Sequence, residues 1–361
     1  MAADDDEGLV MAAPPVDLRS DLLTRPTPAM ISAMAAACAR PWSFDLREDP
    51  DQHALEAELA SLLGHEDALI MPTSTMANEV ALMLLAHPGE TILAPAEIHI
   101  VTSEAGAPAA LAGVLVRSLD AHQPQLEEWH AAMATKPDAL RSRVAAIAME
   151  NTHNRAGGAA VDVATTNSVL AAARSHGLAA HLDGARLFNA AIALGVSPAA
   201  LAAGFDTVAV SLNKGLGAPI GAALVGSRAR IAEALVLRQR LGGGIRPTAV
   251  FAAAARVALG AWRDVIDDHH RAAALVEGID GLPGLRVLRP ETPTNIVVAE
   301  FDRLDIAAVE AALAERGVLA LPFGARRLRF VVYRGIGDAE IARVVSACRA
   351  ITQGTNGTPS S

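Results

Sequence analysis

From about residue 52 onward, short apolar runs alternate with stretches of helical length, and this rhythm constrains the fold more than any other feature of the chain. The runs are DALIMP (67–72), TILAP (91–95), GVLVRSL (113–119), VAAIAME (144–150), GLAAHLD (177–183), TVAVSLN (207–213) and IGAALVG (220–226). Strands separated by helices build βαβ units, whose sheet is mostly parallel and covered on both faces. The sequence therefore predicts an α/β fold around a mostly parallel, seven-stranded sheet. Runs 207–213 and 220–226 are too close together for a helical crossover, so they are expected to pair antiparallel.

An alanine-rich helical region over 247–278 leads out of this large domain. Beyond it, the strand-like runs LRVLR, NIVVAEF and RLRFVVY, with helices near 305–316 and 338–352, predict a smaller C-terminal α+β domain. The expected organisation is a loose tail over 1–15, an arm and large domain over 16–278, a small domain over 279–353 and a second tail over 354–361. The arm, 17–50, is expected to wrap over the active-site side. At 361 residues, 52% hydrophobic and 19% charged, the chain has apolar content for large cores. A net charge of -10 and 3% aromatics argue against nucleic acid or an anionic membrane as the partner. The acidic start, MAADDDEG, lacks the pattern of a signal peptide, and no apolar run is long enough to span a bilayer. Cys38 and Cys348, far apart, suit neither a disulfide framework nor a zinc cluster; a cytoplasmic protein without a metal is expected.

In an open parallel sheet, ligands bind beyond the carboxyl ends of the strands. There the chain carries Glu150-Asn151-Thr152-His153-Asn154, Asp183-Gly184-Ala185-Arg186, Lys214-Gly215-Leu216-Gly217 and Pro72-Thr73-Ser74-Thr75. A pyridoxal-phosphate (PLP) enzyme needs parts of these kinds. They are a lysine for an imine, an acid against the pyridine nitrogen, and hydroxyls at a helix start for the phosphate. Gly215 and Gly217 would let the backbone bend around the lysine. Each piece has a plainer explanation. The lysine could be a solvated strand end, the aspartate and Thr-Ser-Thr could be helix caps, and His99 could be structural. Spacing alone leaves an α/β enzyme with PLP as one candidate.

The blocks VDLRSDLLTRPTPAM (16–30), PTSTMANE (72–79), HIVTSEAG (99–106), MENTHN (149–154), HLDGARLFNA (181–190), SLNKGLGAPIG (211–221) and RLGGGIRP (240–247) follow one another along the chain. In these blocks the sequence resembles the threonine aldolase family of the β-eliminating-lyase group, from Val16 to about Ile351. The resemblance implies an aspartate-aminotransferase-like fold of type I, with PLP as cofactor. It makes Lys214 the Schiff-base lysine and pairs Asp183 with the pyridine nitrogen. It places Arg186 near the ring hydroxyl and the substrate, and His99 on the ring face as a catalytic acid or base. Ser74 and Thr75 would meet the phosphate, and Arg246 would reach it from a neighbouring subunit. Ser20 and Arg329 would bind the substrate carboxylate. A homodimer or homotetramer with shared active sites is implied.

The chain also departs from the family pattern. The loop DLREDP (45–50) is a residue shorter than the family's and lacks its tyrosine; Tyr333 is the chain's one tyrosine. The stretch KPDALRSRV lacks the histidine that the family often carries there. Asn213, Ser74 and Gln239 replace a usual serine, glycine and lysine, and VVY (331–333) stands for a VTH-like block. The expected reaction is PLP-dependent cleavage of a β-hydroxy-α-amino acid, such as threonine or allo-threonine, to glycine and an aldehyde. The alternative on the same frame is β-elimination or dehydration, or a specialised aldol reaction, on another β-substituted amino acid. A PLP-binding protein without catalysis is a third reading.

Overall fold

The run VAAIAME is buried at all seven positions, as a strand covered on both faces must be. The computed structural model describes residues 14–302 and 304–354; most of the two expected tails lies outside them. Thirteen strands occur among the described residues: β1 (Val16–Asp17), β2 (Asp67–Met71), β3 (Thr91–Ala94), β4 (Leu115–Ser118), β5 (Val144–Glu150), β6 (Ala179–Gly184), β7 (Thr207–Ser211), β8 (Ala222–Gly226), β9 (Leu285–Leu288), β10 (Ile296–Phe301), β11 (Val318–Leu319), β12 (Leu321–Pro322) and β13 (Arg327–Val331).

Seven of them form one sheet in the order β2-β8-β7-β6-β5-β3-β4. The pairs β7/β6, β6/β5, β5/β3 and β3/β4 are parallel. β8 runs against both of its neighbours, β7 and β2. The expected antiparallel hairpin is therefore present, and six of the seven strands share one direction. Their carboxyl ends lie along one edge of the sheet, where β5 and β6 end in register at Glu150 and Asp183.

The helical region over 247–278 is not continuous. It divides into helices Ala249–Gly260 and Ile266–Ile279 around a short turn, Trp262–Val265. Trp262 is buried there, its ring 5.7 Å from that of Phe188. Seating this large ring in the main core turns the chain. The second sheet, β12-β13-β10-β9, is antiparallel and has one strand more than expected. It packs with helices Ile266–Ile279 and Asp338–Gly354 around a core of its own that includes Leu275, Phe301, Phe330 and Val344.

Val16 and Leu18 belong to that second core. β1 pairs in parallel with β11, the Val331 amide donates to the Leu18 carbonyl, and the Tyr333 hydroxyl donates to the Asp17 carbonyl. The arm is thus sewn to the small sheet before it crosses to the large one. Farther on, helix Pro28–Cys38 lies against helix Ala249–Gly260. No helix among the described residues is long and apolar enough to cross a membrane.

Candidate active site

Four adjacent strands, β3, β5, β6 and β7, deliver His99, Glu150, Asp183 and Lys214 to the same edge of the sheet. All four residues line one cavity of about 250 Å³, together with Ser20, Arg155, Arg186, Phe323 and Arg329. Ser20 comes from the arm, Arg329 from β13, and Phe323 from the segment just after β12. The cavity therefore lies where the arm and the small sheet meet the strand ends of the large one.

Asp183 is buried and held on both oxygens. Its Oδ1 accepts from the Ala185 amide at 3.0 Å, and its Oδ2 accepts from Asn78 Nδ2 at 2.8 Å. Asn78 Nδ2 also donates to Glu104 Oε1, and Asn78 Oδ1 lies 3.1 Å from His181 Nε2. Burial pushes the Asp183 carboxyl up, but the Lys214 and His99 charges and the Asn78 bond outweigh it, so the acid is held below its ordinary range. Lys214 moves the same way for other reasons. Burial and the neighbouring Arg186 lower its amine, against the pull of Asp183, Asp21 and Glu150.

His99 is fixed through Nδ1, 2.7 Å from Glu104 Oε1, and through its backbone amide, which donates to Glu150 Oε2 at 2.5 Å. Burial works against its protonation, but the Glu104 bond and the charges of Asp183, Glu104 and Glu150 raise its pKa. Glu150 itself is pushed up to about 7 by burial and the adjacent Asp183 charge. Behind Glu104, burial and the nearby Glu104 carboxylate push Glu79 up to about 8.

Arg186 is spoken for: its Nε and Nη2 donate to the two oxygens of Asp21, at 2.7 and 2.9 Å. Arg329 donates from Nη1 to Asn154 Oδ1 at 2.8 Å and from Nη2 to the Arg19 carbonyl at 3.0 Å. Ser20 caps a short helical turn by accepting from the Leu22 amide.

Three sequence-derived candidates do not line this cavity. Thr73, not Ser74 or Thr75, caps helix Ser74–Leu85, accepting from the Met76 amide. Ser74 Oγ lies 2.6 Å from Ser211 Oγ, at the end of β7 and three residues before Lys214. This contact and the Asn78–Asp183 bond bring the first turns of that helix to the site, where first-turn amides lack acceptors within the helix. Arg246 sits apart; it donates to the Phe44 carbonyl at 3.4 Å and lies over the Phe44 ring. The expectation for the two glycines divides. Gly217 has φ +73°, and a Cβ there would run into Arg334 Nη2. Gly215 has no such φ, and a Cβ there would make only ordinary contacts at 3.6 and 3.7 Å.

Sequence reasoning assigned no role to Asp21, Asn78, Glu104 or Glu150. All four stand inside the quoted blocks, and the five-residue spacing of His99 and Glu104 around a short helix was the available signal.

Residues 17–302 match the family model described as beta-eliminating lyase. Low-specificity L-threonine aldolase 1 of Arabidopsis thaliana is 36% identical over 341 residues, covering 92% of this chain and 94% of that one. The fold matches a Leishmania major threonine aldolase structure with a TM-score of 0.82 at 19% identity, covering 94% of this chain and 100% of that one. It also matches a structure of SPT with PLP, with a TM-score of 0.74 at 17% identity, covering 95% and 89%. The chain belongs to the beta-eliminating lyase family, and its fold is that of type I PLP enzymes. PLP is its cofactor, and the donor set suits that group. A buried amine of lowered pKa and an ionised buried acid line one cavity, and a helix start is held beside them through Asn78 to Asp183 and Ser74 to Ser211.

Proposed function

We propose that this lyase cleaves a β-hydroxy-α-amino acid to glycine and an aldehyde. The observation that carries this is the convergence of Lys214 and Asp183 on a cavity that also holds Arg329 and Ser20. When bound, PLP supplies a ring that accepts the electrons left at the α-carbon. Asp183, ionised and held by Asn78, would keep the pyridine nitrogen protonated. Lys214 would hold the cofactor; its depressed pKa leaves more of the amine neutral and nucleophilic.

Arg329 keeps a buried Nε with no partner, and with Ser20 it would orient the substrate carboxylate so that the Cα–Cβ bond is the one that breaks. His99, anchored through Nδ1, keeps Nε2 for proton transfer with the β-hydroxyl, directly or through a water. Arg186, with Nη1 free of Asp21, would face the ring hydroxyl. Ser74 and Thr75 would offer the helix start to the phosphate, with Arg246 joining from a second copy in a homo-oligomer. Support for such a copy is the exposed apolar surface near Arg246, where Phe44 is 86% and Trp42 56% exposed. The separate cores support a large and a small unit, but Val16, Leu18 and helix Ile266–Ile279 pack in the small core, so the small unit takes in more than residues 279–353. Two unpaired cysteines suit a cytoplasmic location.

The test is incubation of the purified, PLP-loaded protein with threonine, allo-threonine and phenylserine isomers. Glycine with an aldehyde is the expected product pair. A keto acid with ammonia would instead establish β-elimination.

A further inference from the structure

Arg155 lines the cavity but has no role in the chemistry above. Its guanidinium carbon lies 4.7 Å from the centre of the Phe323 ring, and that of Arg329 lies 5.3 Å from the same ring. Arg329 is partly satisfied, by Asn154 and the Arg19 carbonyl. Arg155 has no side-chain hydrogen bond or ion pair among the described residues, and its Nε is buried without a partner. The acid that feels its charge is Glu97, which His122 already engages at 2.6 Å. Burial, then the Arg186 charge and, less, the Arg155 charge lower the Arg329 pKa to about 10, against the pull of Asp21. Arg155 is half-buried with its Nε unpaired, and guanidinium groups pair well with carboxylates.

We propose that Arg155 forms a second carboxylate subsite, so that the substrates are β-hydroxy-α-amino acids with an acidic side chain. This rests on the aldolase reading of the same cavity. Arg329 takes the α-carboxylate, and Arg155, against the same Phe323 ring, takes the side-chain carboxylate. With 3-hydroxyaspartate as substrate, the Cα–Cβ bond breaks, the β-hydroxyl gives up its proton, and Cβ becomes the aldehyde carbon of glyoxylate. Cα takes up a proton and leaves as glycine, so the two products account for every atom of the substrate.

The experiment compares kcat/KM for threo- and erythro-3-hydroxyaspartate with that for threonine, in the PLP-loaded wild type, Arg155→Gln and Arg155→Lys. The expected result is glyoxylate formation by the wild type. The hydroxyaspartate-to-threonine ratio should fall about 10- to 100-fold in Arg155→Gln, the worth of a charge-assisted bond, and largely recover in Arg155→Lys. In parallel, titration with L-aspartate and L-alanine, followed by the absorbance of the loaded protein, reads binding without turnover. Wild type should prefer aspartate, and Arg155→Gln should lose that preference. An unchanged ratio in Arg155→Gln, or an equal loss on both substrates, overturns the subsite while leaving the aldolase intact. If no substrate yields glycine, the aldolase reading fails, and the aspartate preference alone then decides whether Arg155 binds a carboxylate.

Discussion

Arg186 and Asp21 form a two-bonded ion pair across 165 residues of sequence, with neither side chain meaningfully exposed. Burial raises the Asp21 carboxyl, but the charges and bonds of Arg186, with Lys214 and Arg329 beyond it, hold it below its ordinary range. Removing one partner strands the other charge away from water. Asp21→Asn should cost about 3–5 kcal/mol of stability. Replacing both together, as Asp21→Asn with Arg186→Met, should cost less than the two single changes added. Thermal or urea denaturation of the three variants tests this; strict additivity would mean that the pair is not coupled.

Lys214→Ala should abolish the imine absorbance band of the PLP-loaded protein and lower turnover by a factor of at least about 1,000. Spectra and product assays on the same preparation check both effects. Undiminished turnover would remove Lys214 from the chemistry.

Glu104→Gln bears on His99. The Glu104 carboxylate raises the His99 pKa, and catalysis by neutral His99 switches on as pH rises through that pKa. Without the negative charge, the pKa falls, so the acid limb of the kcat/KM profile should move to lower pH. A limb that stays in place or moves upward would exclude His99 as the base.

Asp268 is buried, with its carboxyl pushed up to about 8 by burial and by Asp21. The folded state thus holds a proton that the unfolded chain releases near pH 4. This contribution to stability is complete below pH 4 and is lost as pH rises to about 8. Asp268→Asn should therefore gain on the wild type progressively across that window, by a few kcal/mol in all. Denaturation midpoints taken at pH 5 and pH 8 measure the gain; an equal difference at both values would refute it.

Gly217→Ala should destabilise by about 1–3 kcal/mol, because the position combines a left-handed φ with a close Arg334 guanidinium. Gly215→Ala should be nearly neutral. Melting temperatures of the two variants make the comparison.

The alternation of apolar runs revealed the seven strands of the large sheet and the reversal at β8, because the covered inner strands must be apolar throughout and edge strand β4 keeps an apolar flank. The break at Trp262 was hidden: alanine favours helix on both sides, and only tertiary packing of one ring turns the chain. Asp183 and Lys214 were legible because they stand at or just beyond the carboxyl ends of strands. Asn78 and Glu104 were not, since their value lies in hydrogen bonds to residues on other elements. Arg155 stands one residue beyond the quoted stretch after β5, and nothing local marks it; its place is set by Phe323, from the far end of the chain.

The arm between Val16 and Asp21 is tied at one end to the small sheet and at the other to a buried arginine of the large one. It therefore works as a tether. Any hinge motion that widened the gap between the two units would have to unzip β1 or break the Asp21–Arg186 contact. Substrate entry then has to occur with the arm in place rather than through a swinging half, and Ser20 keeps its position throughout.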